Sequence, residues 1–346
     1  DIVYTPLHGV GAATLLDIFS RTAHDSIHPV PAQVVPDGTF PTVSFPNPEE
    51  PGALDMALEL AADSGSDLVI ANDPDADRLA AAVPGSSGWR LLTGNELGVI
   101  LADYLLSNWT GPERAITACS VVSSPMLASM SEKFGALHLT TLTGFKWIAN
   151  AALSAEADGH GVFLFGFEEA LGYTVGRTVR DKDGISAALI LADIAAAEKA
   201  NGRTLLDRLA ALWEQFGIWV STQASIRKEG PGGAEALVRA VDQLAASAPD
   251  RLGGFDVTAI TDFRVGADER PWWLGAQDLV ELSLGESGRI LVRPSGTEPK
   301  LKIYVDLRGE TGMEPERAHV RRTELLEEAN ALAAAAEQLV GSLIGG

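Results

Sequence analysis

Short apolar runs alternate with helix-period stretches through the first two thirds of the chain. Ile2 to Thr5 reads as a strand, Ala12 to Thr22 as a helix, Ala53 to Ala62 as a helix ending near Gly65, and Asp67 to Ala71 as another apolar strand. A break at Asn108 to Glu113, holding Gly111-Pro112, reads as a linker. The alternation then resumes. It predicts a strand over Ala115 to Val122, a helix from Pro125 behind Ser124, a strand over Leu137 to Leu142, a helix from about Lys146 and a strand over Val162 to Phe165. Two helices follow, and the second aligns Leu205, Leu209, Leu212 and Phe216 on one stripe before Gly217 ends it. Alternating β and α segments imply a mostly parallel sheet covered on both faces, with ligand loops at the carboxyl ends of its strands.

The last third changes character. Trp219 to Ile226 is strand-like and Ala234 to Ala246 helical. Asp256 to Thr261, Leu279 to Leu284 and Arg289 to Val292 continuing to Leu301 to Leu307 read as further strands before a long C-terminal helix. Strands that follow one another without crossover helices predict an α+β unit on an antiparallel sheet. The expected fold class is therefore α/β: two related three-layer α/β domains with mostly parallel mixed sheets, over residues 1–110 and 111–217, plus a C-terminal α+β domain with an antiparallel sheet over 218–346.

Charge narrows the function. Lys+Arg 26 against Asp+Glu 47 leaves a net charge of −21, which excludes a general polyanion binder held by counterion release. No nucleic acid and no acidic membrane surface is an expected partner. An anionic substrate has to be gripped by a few local cations, so an isolated basic motif becomes informative. Hydrophobic residues at 46% fit an ordinary globular protein of two or three domains. The single Cys119 lies in an apolar run and reads as a buried thiol, which fits a reducing, cytoplasmic setting. No stretch approaches ~18 uninterrupted apolar residues and no signal peptide opens the chain. It opens instead on Asp1-Ile2-Val3-Tyr4, a strand already under way, which suggests a piece of a longer protein.

Candidate chemistry sits in the loops. Asp73-Pro74-Asp75-Ala76-Asp77-Arg78 follows an apolar strand directly. Carboxylates at i, i+2 and i+4 in a Pro-bent loop can converge on one hard cation, and their oxygens suit Mg²⁺; the alternative is a solvated acidic turn. Arg78 could reach a phosphoryl oxygen that the metal also touches. Arg293-Pro294-Ser295-Gly296-Thr297-Glu298-Pro299-Lys300 combines a guanidinium fork, hydroxyls, an approachable Gly296 backbone and the Lys300 ammonium into a phosphate nest, or forms an ordinary β-turn. Thr143-Gly144-Phe145-Lys146 opens a helix after a strand, which aims backbone N–H groups and Lys146 at an anion unless Lys146 is merely solvated. Glu168-Glu169 follows another strand, where Glu168 can accept sugar hydroxyls or belong to a surface acidic pair. His8-Gly9-Val10-Gly11 lacks the third glycine of a dinucleotide fingerprint. His8 is either a satisfied loop histidine or a catalyst.

Together these loops resemble the α-D-phosphohexomutase superfamily, the phosphoglucomutase and phosphomannomutase enzymes. The matching pieces are T-P-L-H-G-V-G (Thr5 to Gly11), N-D-P-D-A-D-R (Asn72 to Arg78), G-N-E-L-G (Gly94 to Gly98), T-G-F-K-W-I (Thr143 to Ile148), F-E-E-A-L-G-Y (Phe167 to Tyr173), D-K-D-G (Asp181 to Gly184) and R-P-S-G-T-E-P-K (Arg293 to Lys300), in the family's order. The resemblance implies the second, third and fourth of four domains that meet around a cleft. The first domain, whose T-A-S-H-N-P-like loop carries a phosphoserine, is expected to be this piece's own missing N-terminal partner. It further implies Mg²⁺ on Asp73, Asp75 and Asp77, Arg78 on the transferring phosphoryl group and Lys146 as a general acid or base. Glu168 would bind sugar hydroxyls, while Arg293, Ser295, Gly296 and Thr297 would hold the phosphate that is not transferred. The implied activity interconverts hexose 1-phosphate and hexose 6-phosphate through a sugar bisphosphate, as in phosphoglucomutase or phosphomannomutase, with the isolated piece inactive. Ala170 stands where many relatives have Ser and resembles the phosphopentomutase-like branch, which leaves a pentose phosphate open. A Mg²⁺-dependent sugar phosphatase would explain the Asp loop but not the Arg293 nest, and a non-catalytic sugar-phosphate binder would need no serine.

Overall fold

Ile2–Thr5, four buried residues without a charge, form strand β1 in the computed structural model, which describes every residue except Ser87, Pro231, Gly296, Thr297 and Gly346. Then come α1 (Gly11–Ser20), β2 (Ile27–Pro29), α2 (Asp55–Ser64), β3 (Leu68–Ala71), β4 (Ala80–Gly85), β5 (Gly88–Leu91) and α3 (Gly94–Ser107). The sheet order is β2-β1-β3-β4-β5. β2, β1 and β3 run parallel, whereas β3, β4 and β5 pair antiparallel, so this sheet is mixed. Its antiparallel hairpin has little sequence signature because β4 is Ala-Ala-Ala-Val-Pro-Gly, short of the β-branched residues that mark strands.

A second mixed sheet follows. Its elements are β6 (Ala115–Ser120), α4 (Met126–Lys133), β7 (Leu137–Thr141), α5 (Phe145–Ala157), β8 (Val162–Glu168) and β9 (Gly172–Val175), ordered β7-β6-β8-β9 with only the β8/β9 pair antiparallel. α6 (Gly184–Ala200) and α7 (Leu205–Phe216) come next. Thr93 and Glu96 close a capping box at the start of α3, and Asp183 caps α6 by accepting from Ile185 N and Ser186 N. Both helix starts lie beside loops that the motifs single out. α3 lies so close to β8 that a Cβ on Gly98 would come 2.6 Å from the Phe167 ring.

The chain forms two units, Asp1–Leu209 and Ala210–Gly346. The second holds β10 (Trp219–Arg227), α8 (Gly233–Ala246), β11 (Arg251–Leu252), β12 (Phe255–Asp256), β13 (Ala259–Asp262), β14 (Val280–Ser283), β15 (Gly288–Pro294), β16 (Lys300–Arg308) and α9 (Pro315–Gly345). Its five-stranded sheet, β10-β16-β15-β14-β13, is wholly antiparallel, as the consecutive strand signals predict. The single strand expected over Asp256 to Thr261 is two. β12 pairs with β11, β13 pairs with β14, and between them Val257 N turns to Asp250 O and Thr258 N to Ser283 O. No helix among the described residues is long and apolar enough to cross a membrane.

Candidate active site

The acidic loop leaves the carboxyl end of β3 and is stapled at both ends by one side chain. Asn72 Oδ1 accepts from the Tyr4 hydroxyl at 3.0 Å, and its Nδ2 donates to Arg78 O at 2.5 Å. Arg78 N donates to Asp73 Oδ1 at 3.0 Å, and Ala76 takes a left-handed φ of 58° to complete the turn. Two other motifs brace the loop through glycine. A Cβ on Gly9 would lie 2.3 Å from Pro74, and one on Gly184 would lie 2.1 Å from Arg78 O. Val10 N donates to Pro74 O at 2.8 Å and Gly184 N to Ala76 O at 3.1 Å.

So held, Asp73, Asp75 and Asp77 each offer a carboxylate oxygen, all within 4.8 Å of one another. An all-oxygen set of this span fits Mg²⁺ with waters or a substrate phosphate completing its shell. Arg78 Nε lies 3.4 Å from Asp73 Oδ2 and 3.9 Å from Asp77 Oδ1, and Lys182 Nζ lies 2.7 Å from Asp77 Oδ2. Burial pushes the Asp73 carboxyl up to about 6; Asp77 and Asp75 add to the rise, against the hydrogen bond from Arg78 N and the Arg78 charge.

The second loop ends β8. Glu168 Oε1 accepts from Gly144 N at 2.7 Å, which ties the Thr143-Gly144 turn to the proposed sugar carboxylate. Gly144 has φ 116°, in the region that favours glycine. The buried Thr143 hydroxyl has no hydrogen-bond partner among the described residues. Lys146, exposed in the first turn of α5, holds its ammonium 5.4 Å over the Trp147 ring. Glu169 is not a solvated partner of Glu168: its Oε2 accepts from Ser120 Oγ at 3.4 Å and Ser123 Oγ at 3.3 Å. Leu79 N donates to Leu171 O at 3.0 Å and Arg78 bridges Gly172, so the acidic loop and the Glu168 loop are joined through backbone.

His8 is buried with φ 62°, and its Nε2 lies 2.8 Å from Thr42 Oγ1, which also accepts from Gln33 Nε2 at 3.0 Å. The neighbouring Gly9 and Val10 backbone touches the acidic loop. Lys182 and Glu169 were readable only as members of D-K-D-G and F-E-E-A-L-G-Y, with nothing in the sequence to tie them to Asp77 and to the serines.

In the second unit Arg293 lies within β15, opposite Lys302 of β16, rather than in the loop itself. Its Nε is buried with no hydrogen-bond partner among the described residues, a donor that a bound anion would satisfy. Ser295 N donates to Lys300 O at 2.7 Å, which narrows the loop mouth. Gly296 and Thr297 lie outside the described residues.

Models of one family match the chain in three places. They are phosphoglucomutase/phosphomannomutase alpha/beta/alpha domain II over residues 1–86, alpha/beta/alpha domain III over 93–216, and the C-terminal domain over 256–336. A "Probable phosphomannomutase" of Haemophilus influenzae is 42% identical over 319 residues, covering 92% of this chain and 62% of its own length. A "Probable phosphoribomutase" of Schizosaccharomyces pombe is 37% identical over 325 residues, covering 89% of this chain and 55% of its own length. The chain thus spans under two thirds of these relatives. The open-form crystal structure of pp63/parafusin (phosphoglucomutase) from Paramecium superimposes with a TM-score of 0.65 at 20% identity, over 98% of this chain and 60% of that one.

Proposed function

This chain belongs to the phosphoglucomutase/phosphomannomutase family, and from that premise we propose that it is the metal-, sugar- and phosphate-binding part of a phosphosugar mutase. The supporting observation is the convergence of Asp73, Asp75 and Asp77 beside Arg78 on a loop joined through backbone to the Glu168 loop. We assign the acidic loop to a domain over residues 1–110, the Glu168 loop to 111–217 and the Arg293 loop to 218–346, in a protein of a reducing cytoplasm.

The proposed reaction moves a phosphoryl group between a serine and a sugar monophosphate, by way of a sugar bisphosphate. No T-A-S-H-N-P-like loop occurs within residues 1–346, so we place that serine outside them. Mg²⁺ bound by Asp73, Asp75 and Asp77 would neutralise charge on the phosphoryl oxygens. Arg78 supplies a fixed guanidinium to the same oxygens, where in-line transfer accumulates charge. Lys146 holds or gives up the proton of the attacking or leaving hydroxyl, with His8 proposed beside it, and Glu168 and the Thr143-Gly144 turn orient the sugar. Arg293, Ser295, Gly296, Thr297 and Lys300 hold the idle phosphate. Donors that read only an anion suit a reaction in which either phosphate must occupy the same place.

Calorimetry tests the binding part. Glucose 6-phosphate should bind residues 1–346, and Arg293→Lys should weaken it roughly 10-fold or more, because a charge-assisted bidentate contact contributes about 1.5 to 3 kcal/mol. Equal affinities would reduce the loop to a turn. Residues 1–346 alone should bind without interconverting glucose 1-phosphate and glucose 6-phosphate, since covalent transfer needs its nucleophile; turnover would mean that a serine within them carries the phosphoryl group. Ala170 and the relative named a phosphoribomutase favour a second reading, a pentose phosphate. Tighter binding of ribose 5-phosphate than of glucose 6-phosphate would select it.

A further inference from the structure

One face of the sheet of the second unit packs on helices, and the other is buried along part of its length. Leu301, Ile303, Val305 and Leu307 of β16 are fully buried, and Thr222, opposite Val305, hydrogen-bonds Asn330 of α9 at 2.7 Å, so these positions face the helices. Residues between them point the other way. Register then sets Lys302 opposite Arg293 of β15, and Lys300 opposite Arg227 of β10. Cations from three adjacent strands therefore share this second face at the end where β15 turns into β16, and there they are at least part-exposed, although Leu291, Tyr304 and Asp306 further along the same face are buried. Arg293 and Lys300 belong to the motif at this turn; Arg227 and Lys302 belong to none.

Side chains directly opposed across an antiparallel pair have Cβ atoms roughly 4.5–5.5 Å apart, and like charges so placed destabilise the sheet. Carboxylates are abundant in a chain of net charge −21, yet Arg227, Arg293, Lys300 and Lys302 make no ion pair within 4.0 Å among the described residues. The same face treats its other arginines differently: Arg308 Nη1 lies 3.1 Å from Glu286. Arg289 Nε lies 2.8 Å from Asp306 and its NH1 3.6 Å from Glu281. The unneutralised rows are thus confined to the end that carries Arg293.

We propose that Arg227 and Lys302 complete with Arg293 and Lys300 an anion site for a diphosphate, two phosphoryl groups joined through one oxygen, rather than for one phosphate alone. The proposal rests on reading Arg293 and Lys300 as phosphate holders. The two rows stand two residues apart along the strands, about 7 Å, so one phosphoryl group can engage the Arg293–Lys302 row while its neighbour engages the Lys300–Arg227 row. Nucleotidyl transfer onto a sugar 1-phosphate gives a product bearing such a group, which would compete here with the sugar phosphate.

The test is calorimetry of residues 1–346 with inorganic phosphate and inorganic pyrophosphate, in chloride at constant ionic strength with EDTA, so that the acidic loop holds no metal. Pyrophosphate should bind about 10-fold or more tightly than phosphate, and Arg227→Gln with Lys302→Gln should cut that preference to about 3-fold or less, pyrophosphate affinity falling further than phosphate affinity. Lys302→Arg should keep the preference. An unchanged preference in the double variant, or a parallel fall of both affinities, would overturn the proposal. Phosphate binding indifferent to Arg293→Lys would instead overturn the phosphate-loop reading beneath it.

Discussion

Asp73 shows that the acidic loop holds a buried carboxyl at a cost. Its carboxyl titrates near 6 because burial and two neighbouring carboxylates outweigh the help from Arg78. A carboxyl whose folded pKa lies above its unfolded value contributes stability that is complete below about 3.8 and lost as pH rises through about 6, here at most about 3 kcal/mol. The fold is therefore strained most where Asp73 is ionised, which is also where the proposed Mg²⁺ would bind best. Millimolar Mg²⁺ should raise the melting temperature clearly at pH 8 and much less at pH 5. Asp75→Asn, which removes the most exposed ligand, should shrink the shift at pH 8 by more than half. Scanning fluorimetry that gave wild type and variant equal shifts would place the ion elsewhere.

At the scale of elements, β7 carries a second titrating group with the opposite sign. His138 stands beside Thr117 and Cys119 of β6, with Nδ1 3.2 Å from Thr117 Oγ1, and burial pushes it down to about 4. Its unfolded form protonates first as pH falls, so its contribution is whole above about 6.5 and drains away towards 4, up to about 3 kcal/mol. His138→Gln should lose less stability than wild type between pH 7 and pH 5, and parallel pH profiles from denaturant melts would refute this. The chain's alternation made most strands legible, since Leu68–Ala71 or Ala115–Ser120 advertise themselves as apolar runs. β4 did not, because alanines carry no strand preference. The acidic trio was legible because its spacing is local. The roles of Lys182, Glu169 and Lys302 were not, because each depends on a partner brought from another element: Ser120 lies 49 residues from Glu169, and Lys302 meets Arg293 only through hairpin register.

Across the whole molecule, 47 acidic residues face 26 basic ones, so at least 47 − 26 = 21 carboxylates have no basic residue to pair with one to one. Some pairs are well placed, such as Arg208, mostly buried between Asp103 at 2.5 Å and Glu198 at 2.8 Å. The pairs whose two partners are both exposed, such as Arg21–Asp17 and Lys199–Asp67, contribute only about 0.2–1 kcal/mol each. Raising chloride salt from about 10 to about 150 mM shortens the screening length from about 30 Å to about 8 Å. That screening weakens the surface pairs a little, since their charges already lie within a few ångströms. It weakens the long-range repulsion among the excess carboxylates far more, since those charges stand a screening length or more apart. The repulsive term should therefore dominate, and a net gain of about 1 kcal/mol would raise the melting temperature of a chain this long by about 1–2 °C. Chloride is the right salt, because phosphate or sulfate would be ligands for the anion site proposed at Arg293 and would confound screening with ligation. A melting temperature that falls over this range would mean that paired charges, rather than the unpaired acidic excess, set the electrostatic balance of the fold.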